Sequence, residues 1–517
     1  MHRQRRAADH RAEPRFGQSD GEGGRKAALP ERLTCRRTTM TDLADILARQ
    51  RAAFLHDGAP DLAQRRADLD TLRRAIAARR PQIEAAINAD FGHRSRHETA
   101  MMEILPTLQG IAYLSRNLRR FMRPERRHVD WAFRLGRARI EYQPLGVVGI
   151  ISPWNYPLSL AMMPLATALA AGNRAMIKPS EFTPQTSKLL TDLLAEIFPA
   201  EKVAVVQGDA ETGRAFTALP FDHILFTGST PVGKAVMRAA ADNLVPVTLE
   251  LGGKSPVIVA PGAATEANVA NIAFGKLANA GQTCIAPDYA LVHEDDLAVF
   301  RSGFERAVAH MYPAGPSGAD YSAIITARHF DRLEGLLSDA AAKGAEVVRL
   351  GAPVSEARPQ TLAPALVFDA TDAMEVMQQE IFGPILPVVS YRSIDEVIAF
   401  VNARPRPLAL YHFGAEGADR RRLLDRTTSG NVGLNTTLMH YAQDDLPFGG
   451  IGASGIGAYH GIEGFRAMSH AKGIYAQSRW NGANLLRAPF GPGSDRLLNA
   501  LLSERWHRFR ETLSRIL

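Results

Sequence analysis

The amino-acid sequence predicts an α/β fold, with a doubly wound parallel sheet followed by a second α/β domain. Its length of 517 residues allows about three folding units of roughly 100 to 200 residues each. Short β-rich runs alternate with helical segments after Ala138, which is the pattern of parallel sheets covered by helices. The proportions of 46% hydrophobic and 22% charged residues are those of a soluble globular protein.

The chain is predicted to begin with helices and to continue with strands. From Asp42 to about Phe91 apolar residues recur at helical spacing, and a further helix is predicted over residues 98–122. Helical segments at 184–197 and 232–242 then separate short β-rich runs. Strands are expected in six of these runs: ARIEYQ, VVGIIS, AMIK, VAVVQG, HILFTG and VTLEL.

A second alternation from Pro256 onward predicts another α/β domain. Its helices are expected to end near Ala280 and Met311 and to span about 328–342. Beyond it, a glycine-rich run at 448–461 is irregular, and KGIYAQ is predicted to be a strand that needs a partner. The strands of this second domain are expected in PVIVA, DYALVHED, EVVRL, ALVFDA, ILPVVSY and ALYHFG.

Residues 1–39 form a basic tail that is predicted to be disordered. They hold ten Lys or Arg and five Asp or Glu, so +5 of the net charge of +7 lies in the tail. The rest of the chain carries only +2, which argues against a nucleic-acid partner, because such a partner needs clustered Lys and Arg on a folded face. The tail lacks the apolar segment of a secretory signal, and Met40, before a helical pattern, is an alternative translation start.

Residues 485–517 are predicted to form an amphipathic helix. Two interpretations stay open: its apolar face packs against the protein or a partner subunit, which we favour, or it contacts a membrane surface. No run approaches the ~20 uncharged apolar residues that cross a bilayer. The apolar face carries Leu498, Leu502, Trp506, Phe509, Leu513 and Ile516.

The two cysteines, Cys35 and Cys284, are too few for a disulfide framework, so a reducing, cytoplasmic location is expected. Cys284 stands in NAGQTCIAP, where the end of a helix and small or polar neighbours predict an exposed turn and favour a reactive thiol. An inert buried cysteine is the structural alternative. Glu250 follows the strand VTL, at the sheet edge where α/β domains place their sites, or is simply a solvated acid there.

Further polar residues follow β-rich runs. Asn155 in WNYP can donate its amide to negative charge developing on a substrate oxygen, or can merely cap a turn. Lys178 precedes Ser180 and Glu181, and Glu181 is available to accept ribose hydroxyls, although surface lysines are common. This cluster is therefore a candidate nucleotide contact.

Gly228 and Ser229 precede a predicted helix whose amino end can face a phosphate group. The loop lacks the G-x-G-x-x-G fingerprint, and such turns are found in many α/β proteins without nucleotide. The fifteen histidines show no metal-ligand spacing, so no metal site is predicted.

In combination, these motifs resemble the NAD(P)-dependent aldehyde dehydrogenase superfamily, in the family's order, over about 145–457. The resemblance implies an aldehyde dehydrogenase-like fold: a Rossmann-like cofactor domain, an α/β catalytic domain and a small β oligomerisation arm. The segments DFGHRSRHET, KLANAGQTCIAPDY, NARPRPLALY and AQDDLPFGG resemble the class of fatty and aromatic aldehyde dehydrogenases, most closely the bacterial coniferyl aldehyde dehydrogenases. The superfamily motifs are PWNYP, IKPSE, FTGSTPVGK, LELGGKSP, GQTC, EIFGP and LPFGGIGASG.

The resemblance also implies a division of the chain into domains. Helices and an NAD-binding domain are expected over 40–250, with 433–470 returning to it, and a catalytic domain carrying Cys284 is expected over 251–432. An oligomerisation strand is expected over 471–484 and a carboxyl-terminal helix over 485–517. The strands ARIEYQPL and KGIYAQ are expected to join two subunits of a homodimer.

The same resemblance assigns roles to the candidate residues. Cys284 is the thiolate that attacks the aldehyde carbon to give a thiohemiacetal, and Asn155 with the Cys284 backbone N–H forms the oxyanion hole. Hydride transfer to the nicotinamide leaves a thioester, for whose hydrolysis Glu250 activates water. The residues implied to bind the cofactor are Trp154, Lys178, Ser180, Glu181, Gly228, Ser229, Gly252, Glu380 and Phe382.

The cofactor preference follows from Glu181, whereas the substrate is implied by the overall resemblance. Glu181 repels a 2′-phosphate, which favours NAD, with weaker use of NADP. The leading substrate is coniferaldehyde, oxidised to ferulate, and a medium- or long-chain aliphatic aldehyde is the alternative. A non-catalytic binding protein of the same fold is remote, because nucleophile, base and oxyanion donor are all present. The entry funnel is expected to include Tyr156, Met163, His440 and Tyr441.

Overall fold

The structure is a computed structural model that describes residues 40–130, 133–351, 360–480 and 487–504, with the single positions 354, 358, 506 and 508. The tail predicted over 1–39, including Cys35, lies outside these residues.

The described chain begins with helices, as the spacing of its apolar residues predicts. Leu69, Leu72 and Ile76 recur on one face of the second helix and are buried. The helix predicted over 98–122 contains a π-helical turn at Ala100–Ile104, which shifts its register. The elements are α1 (Met40–Asp57), α2 (Leu62–Ala78), α3 (Arg80–Phe91), α4 (Arg96–Thr99) and α5 (Leu105–Phe121), then β1 (Glu125–Arg127) and β2 (Arg137–Pro144).

A parallel sheet with intervening helices follows, as predicted. Its elements are β3 (Val147–Ile151), α6 (Ser159–Ala171), β4 (Arg174–Lys178), α7 (Pro184–Ile197), β5 (Val203–Val205), α8 (Ala210–Thr217), β6 (His223–Gly228), α9 (Thr230–Ala241) and β7 (Val247–Leu251). The strand order is β5-β4-β3-β6-β7, and the short strand Gly455–Ile456 adds to β7 in antiparallel orientation. This is the doubly wound order expected of a dinucleotide-binding sheet.

Helix α6, SLAMMPLATALAA, is not predicted by periodicity. All 13 of its residues are buried, so it has no polar face and no amphipathic pattern to detect. It packs between the amino-terminal helices and the sheet. The helix begins at Ser159, two residues after the last residue of WNYP.

The second α/β domain forms a separate sheet. Its elements are β8 (Pro256–Val259), α10 (Glu266–Leu277), β9 (Tyr289–His293), α11 (Leu297–Met311), α12 (Ala327–Ala342), β10 (Glu346–Arg349), β11 (Ala365–Phe368), α13 (Glu375–Gln378), β12 (Ile385–Tyr391), α14 (Ile394–Asn402), β13 (Ala409–Phe413), α15 (Ala418–Arg426) and β14 (Asn431–Leu434). The strand order is β10-β11-β12-β9-β8-β13-β14. Strand β14 extends this sheet across the predicted domain boundary at 432 and 433, after which β15 (Gly455–Ile456) joins the first sheet.

The strand predicted in KGIYAQ is found in β16 (Ser469–Ala476), which follows α16 (Gly461–Ala467). Its partner is β2 of the same chain, in antiparallel register from Ser469 opposite Pro144 to Ala476 opposite Arg137. The two strands therefore pair with each other within one chain, while their expected role in joining two subunits stays a prediction. With β1 they form a three-stranded sheet in the order β1-β2-β16.

Helix α17 spans Pro492–Leu501 within the predicted range 485–517, and the described positions 504, 506 and 508 are also helical. Leu498 and Leu502 remain exposed, so these two side chains are not packed into the core of the described chain. Phe509, Leu513 and Ile516 lie outside the described residues. No helix in the described part of the chain has the length and apolar character needed to span a bilayer.

Candidate active site

Cys284 and Glu250 line one cavity of about 210 Å³. Apolar and aromatic side chains form most of its wall, and the exposed residues Met101, Leu105 and Met439 mark its mouth. An apolar molecule that enters here reaches both a thiol and a carboxyl group.

The loop that carries Cys284 leaves α10 by an abrupt turn. Asn279, Ala280 and Gly281 have positive φ angles of 52°, 51° and 74°, and a side chain on Gly281 would collide with the backbone of Gly383. Cys284 lies in the next turn and is half-buried at the cavity. The predicted turn is present, but Cys284 is only partly exposed because the loop folds inward.

Gln282 stabilises this inward conformation. Its side-chain amide nitrogen donates to the carbonyl oxygens of Asn279 at 3.0 Å and Ala323 at 2.9 Å, and its amide oxygen accepts from Ile325 N at 3.0 Å. The side chain is fully buried and makes three hydrogen bonds. Gln282 was not predicted as a site residue, although it belongs to the GQTC motif.

Asn155 reaches the same loop from the first sheet. It follows β3 and donates its amide nitrogen to the carbonyl of Gln282 at 3.1 Å. An amide nitrogen has two N–H donors, and among the described residues only this one bond is made. The second N–H is unused, and the bond to Gln282 places Asn155 beside the loop that carries Cys284, although Asn155 is not among the residues that line the cavity.

A buried arginine fixes the backbone of Asn155. Arg94 donates to the Asn155 carbonyl at 3.0 Å and pairs with Glu103 at 2.9 Å, with both charged side chains inaccessible to solvent. Its guanidinium carbon lies 5.0 Å from the Phe91 ring centroid and 4.8 Å from that of Tyr156. Arg94 was not predicted as a site residue, because sequence gives no sign that the arginine of DFGHRS is buried.

We expect Arg94→Met to lower the free energy of unfolding by about 3–5 kcal/mol, because it leaves the buried Glu103 charge without its partner. Urea unfolding followed by fluorescence measures this loss. Arg96→Met is the matched control, since Arg96 is exposed two residues away. Equal stability of the two variants would contradict the predicted effect.

Glu250 lies near the carboxyl end of β7 and is buried rather than solvated. Neither of its carboxyl oxygens has a hydrogen-bond partner among the described residues. Burial therefore raises the pKa of Glu250 well above the usual carboxyl range. A carboxyl group with a raised pKa is suited to exchange protons with water near neutral pH.

The Cys284 thiol is neutral in this environment. Burial raises the pKa of Cys284 to about 12, and the nearby carboxyl groups of Glu380 and Glu250 add to the shift. The sulfur must therefore lose its proton as it attacks a substrate.

Several predicted cofactor residues lie at or just after the carboxyl ends of strands in the first sheet. Lys178 is buried at the end of β4 and donates to Glu181 at 2.7 Å, while Ser180 accepts from Phe182 N at 3.3 Å within its own loop. Ser229 precedes α9 without a side-chain hydrogen bond to the helix, which leaves the amino end open to a phosphate. Gly228, before it, ends β6.

A second group of predicted cofactor residues makes contacts between distant parts of the chain, Gly252 with Glu380 and Trp154 with Phe382. A side chain on Gly252 would collide with the Glu380 carboxyl group, so glycine permits their contact. Burial, with the charge of Asp288, raises the pKa of Glu380 to about 8. The rings of Trp154 and Phe382 meet edge to face at 5.4 Å, and Phe382 has a positive φ of 50°. The unpredicted ring of His329 lies 5.3 Å from Trp154.

The predicted entry funnel is only partly correct. Tyr156 and Tyr441 line the cavity, but Met163 and His440 do not. Met163 packs against the backbone of Gly110, and the ring of His440 packs against Tyr411. Within the described residues no group of histidine, cysteine and acidic side chains could hold a metal ion.

The doubly wound parallel sheet, the second α/β sheet and the cysteine at the cavity are features of a class of NAD(P)-dependent enzymes. The chain belongs to the aldehyde dehydrogenase family, which matches residues 31–474. It is therefore an NAD(P)-dependent aldehyde dehydrogenase, and the fold and family predicted from the sequence motifs are confirmed.

Individual proteins agree with this assignment. The "Probable coniferyl aldehyde dehydrogenase" of Pseudomonas aeruginosa is 50% identical over 463 residues, which cover 89% of this chain and 96% of that protein. The substrate-bound structure of Staphylococcus aureus AldH is 36% identical with a TM-score of 0.84, covering 89% and 99% of the two chains. The Mycobacterium tuberculosis aldehyde dehydrogenase complexed with NAD+ is 28% identical with a TM-score of 0.79, covering 86% and 92%.

Proposed function

We propose that the protein oxidises coniferaldehyde to ferulate through a covalent bond between Cys284 and the aldehyde carbon. The main observation that supports this proposal is that Cys284 and Glu250 line one cavity with apolar and aromatic walls. The relative from Pseudomonas aeruginosa at 50% identity bears the name of a coniferyl aldehyde dehydrogenase. An aromatic ring with an apolar linker suits such walls.

The proposed roles follow from the geometry of the chain's own residues. The Cys284 thiol releases its proton to solvent water as its sulfur attacks the aldehyde carbon. The free N–H of Asn155 with the Cys284 backbone N–H stabilises the oxyanion of the thiohemiacetal. NAD, when bound, supplies the acceptor for the hydride that leaves this carbon. Glu250 then removes a proton from water, and hydrolysis of the Cys284 thioester releases the acid and restores the thiol.

The substrate proposal is tested by NADH formation with coniferaldehyde, hexanal and decanal in parallel. We expect kcat/KM for coniferaldehyde to exceed that for the alkanals by at least about tenfold, since a planar ring gains contacts with aromatic side chains. Higher kcat/KM for the alkanals would replace the proposal with a medium- or long-chain aliphatic aldehyde dehydrogenase. Cys284→Ala serves as the blank.

We propose that NAD is preferred over NADP, with the ribose held by Lys178 and Glu181. We expect Glu181→Gln to raise the ratio of kcat/KM for NADP to that for NAD about tenfold, because a neutral amide does not repel a 2′-phosphate. Asp192→Asn is the control, since it neutralises a carboxylate paired with a lysine elsewhere in this part of the chain. An unchanged ratio in Glu181→Gln would show that this carboxylate does not select the cofactor.

We further propose a cytoplasmic homodimer with cofactor-binding residues in 40–250 and 433–470 and the catalytic loop in 251–432. Strand β16 lies at one edge of its three-stranded sheet, and an edge strand offers main-chain hydrogen bonds to a second subunit. Light scattering coupled to size-exclusion chromatography measures the molar mass of the protein. A molar mass of 56.3 kDa, that of one chain, would contradict the proposed dimer.

A further inference from the structure

Three hydroxyl groups form a chain along one wall of the cavity that holds Cys284. Ser159 Oγ lies 3.2 Å from Tyr441 Oη, which lies 3.4 Å from Tyr459 Oη. All three residues line the cavity, and Ser159 and Tyr459 are almost completely buried. The chain therefore places polar atoms in a wall that is otherwise mostly apolar.

The row of three hydroxyl groups has one more O–H donor than its two internal contacts use. Three hydroxyl groups carry three O–H donors, and the two contacts between them use two. Among the described residues no side-chain or backbone acceptor outside the chain receives the third. Both contacts are also longer than the usual 2.7–2.8 Å of a hydrogen bond between hydroxyls. A ligand oxygen can therefore take the unused donor or compete with these long bonds.

Packing holds the central hydroxyl in place. The ring of Tyr441 meets the ring of Phe448 edge to face at 4.9 Å and that of His460 at 5.0 Å. Phe448 also lies against His460 at 5.3 Å, so these rings support one another. The Tyr441 hydroxyl is thus positioned before a substrate arrives, which lowers the entropic cost of binding.

The surroundings suit a neutral oxygen and not an anion. Burial raises the pKa of both Tyr441 and Tyr459, so their hydroxyls stay protonated and can donate. Burial lowers the pKa of His440 to about 4 and that of His460 to about 3, so both rings stay neutral. No protonated histidine is present in this cluster to attract a carboxylate or a phenolate.

We propose that the Ser159–Tyr441–Tyr459 chain binds the oxygen substituents of an aromatic aldehyde, its ring hydroxyl or methoxy group, and so selects oxygenated rings over bare ones. This inference rests on the proposed function, because it specifies which aromatic aldehydes the cavity prefers. Cys284 and the three hydroxyl-bearing residues line one cavity, so the proposal places the aldehyde carbon at Cys284 and the ring oxygen at the hydroxyls. A substrate without that oxygen leaves the buried donor unpaired, which weakens its binding.

The test compares coniferaldehyde with cinnamaldehyde, which has the same linker and ring but no ring oxygen. We expect the wild-type protein to favour coniferaldehyde about tenfold in kcat/KM, the effect of one hydrogen bond of about 1.4 kcal/mol. Tyr441→Phe removes the central hydroxyl and is expected to abolish this preference mainly through KM for coniferaldehyde. The preference is a ratio of two kcat/KM values measured on the same variant, so a general loss of structure lowers both values and does not remove it.

Tyr391→Phe is the matched control. It also removes a buried tyrosine hydroxyl, which donates to Val259 O at 2.8 Å, but Tyr391 does not line the cavity. Its ratio of coniferaldehyde to cinnamaldehyde is expected to equal that of wild type. An unchanged ratio in Tyr441→Phe would overturn the inference, even where both aromatic aldehydes outperform hexanal and the proposed function holds. Faster turnover of hexanal than of both aromatic aldehydes would instead contradict the proposed function.

Discussion

Cys284→Ala is expected to lower kcat by at least about 10⁴-fold with every aldehyde, because no other thiol in the described part of the chain lines the cavity and the covalent step has no substitute. The measurement is NADH formation under saturating aldehyde and NAD. Binding of NADH, followed by its fluorescence, is expected to persist, since alanine removes only the sulfur at the cavity.

Cys35→Ala is the matched control, because it removes the other cysteine of the chain and is expected to retain full activity. Aldehyde-dependent NADH formation in Cys284→Ala at a rate well above about 10⁻⁴ of the wild-type rate would contradict the proposed mechanism. Mass spectrometry of the wild-type protein during turnover is expected to find the acyl group on the peptide that contains Cys284.

Glu250→Gln is expected to lower steady-state kcat by about 10²- to 10⁴-fold, because the thioester then lacks its general base. Its first turnover is expected to survive, so a rapid burst of NADH precedes a slow steady phase. Stopped-flow absorbance measures the burst, and intact mass measures the accumulated acyl-enzyme. Loss of the burst together with the steady phase would show that Glu250 acts before hydrolysis.

The exposed carboxylate of Glu266 provides the control, and Glu266→Gln is expected to turn over at the wild-type rate. Wild-type deacylation is expected to slow as pH falls through the raised pKa of Glu250, since only the deprotonated carboxylate accepts a proton from water. In Glu250→Gln this dependence on pH is expected to disappear.

The elements with a clear alternation of apolar and polar residues were predictable. Helix α7 begins and ends at the predicted residues, Pro184 and Ile197, because its amphipathic face and its amino-terminal proline both mark it. Helix α6 was not predictable, because burial on all sides removes the pattern. Strand β16 was predicted to need a partner, but the sequence does not say which strand supplies it, and only the structure shows that it pairs with β2 of the same chain.

In the candidate site, the reactive residues could be predicted from the sequence, whereas the residues that position them could not. Cys284, Glu250 and Asn155 stand out as reactive groups beside strand ends or turns, so sequence could nominate them. Arg94 and Gln282 act through buried hydrogen bonds to backbone carbonyls, and their burial depends on contacts distant in the sequence. The reactive residues were therefore predictable from residue type, whereas the residues that orient them could be recognised only in the folded structure.

The late strand β15 has a consequence for how the protein is made. It pairs Gly455 with Glu250, and without it β7 would be the open edge of its sheet. Roughly 200 residues separate the two strands, which is about 10–40 s of translation at 5–20 residues per second. For that interval the strand bearing Glu250 can gain no neighbour from the carboxyl-terminal part of the chain. Chains interrupted before Gly455 would leave the ribosome with this edge open to wrong pairing.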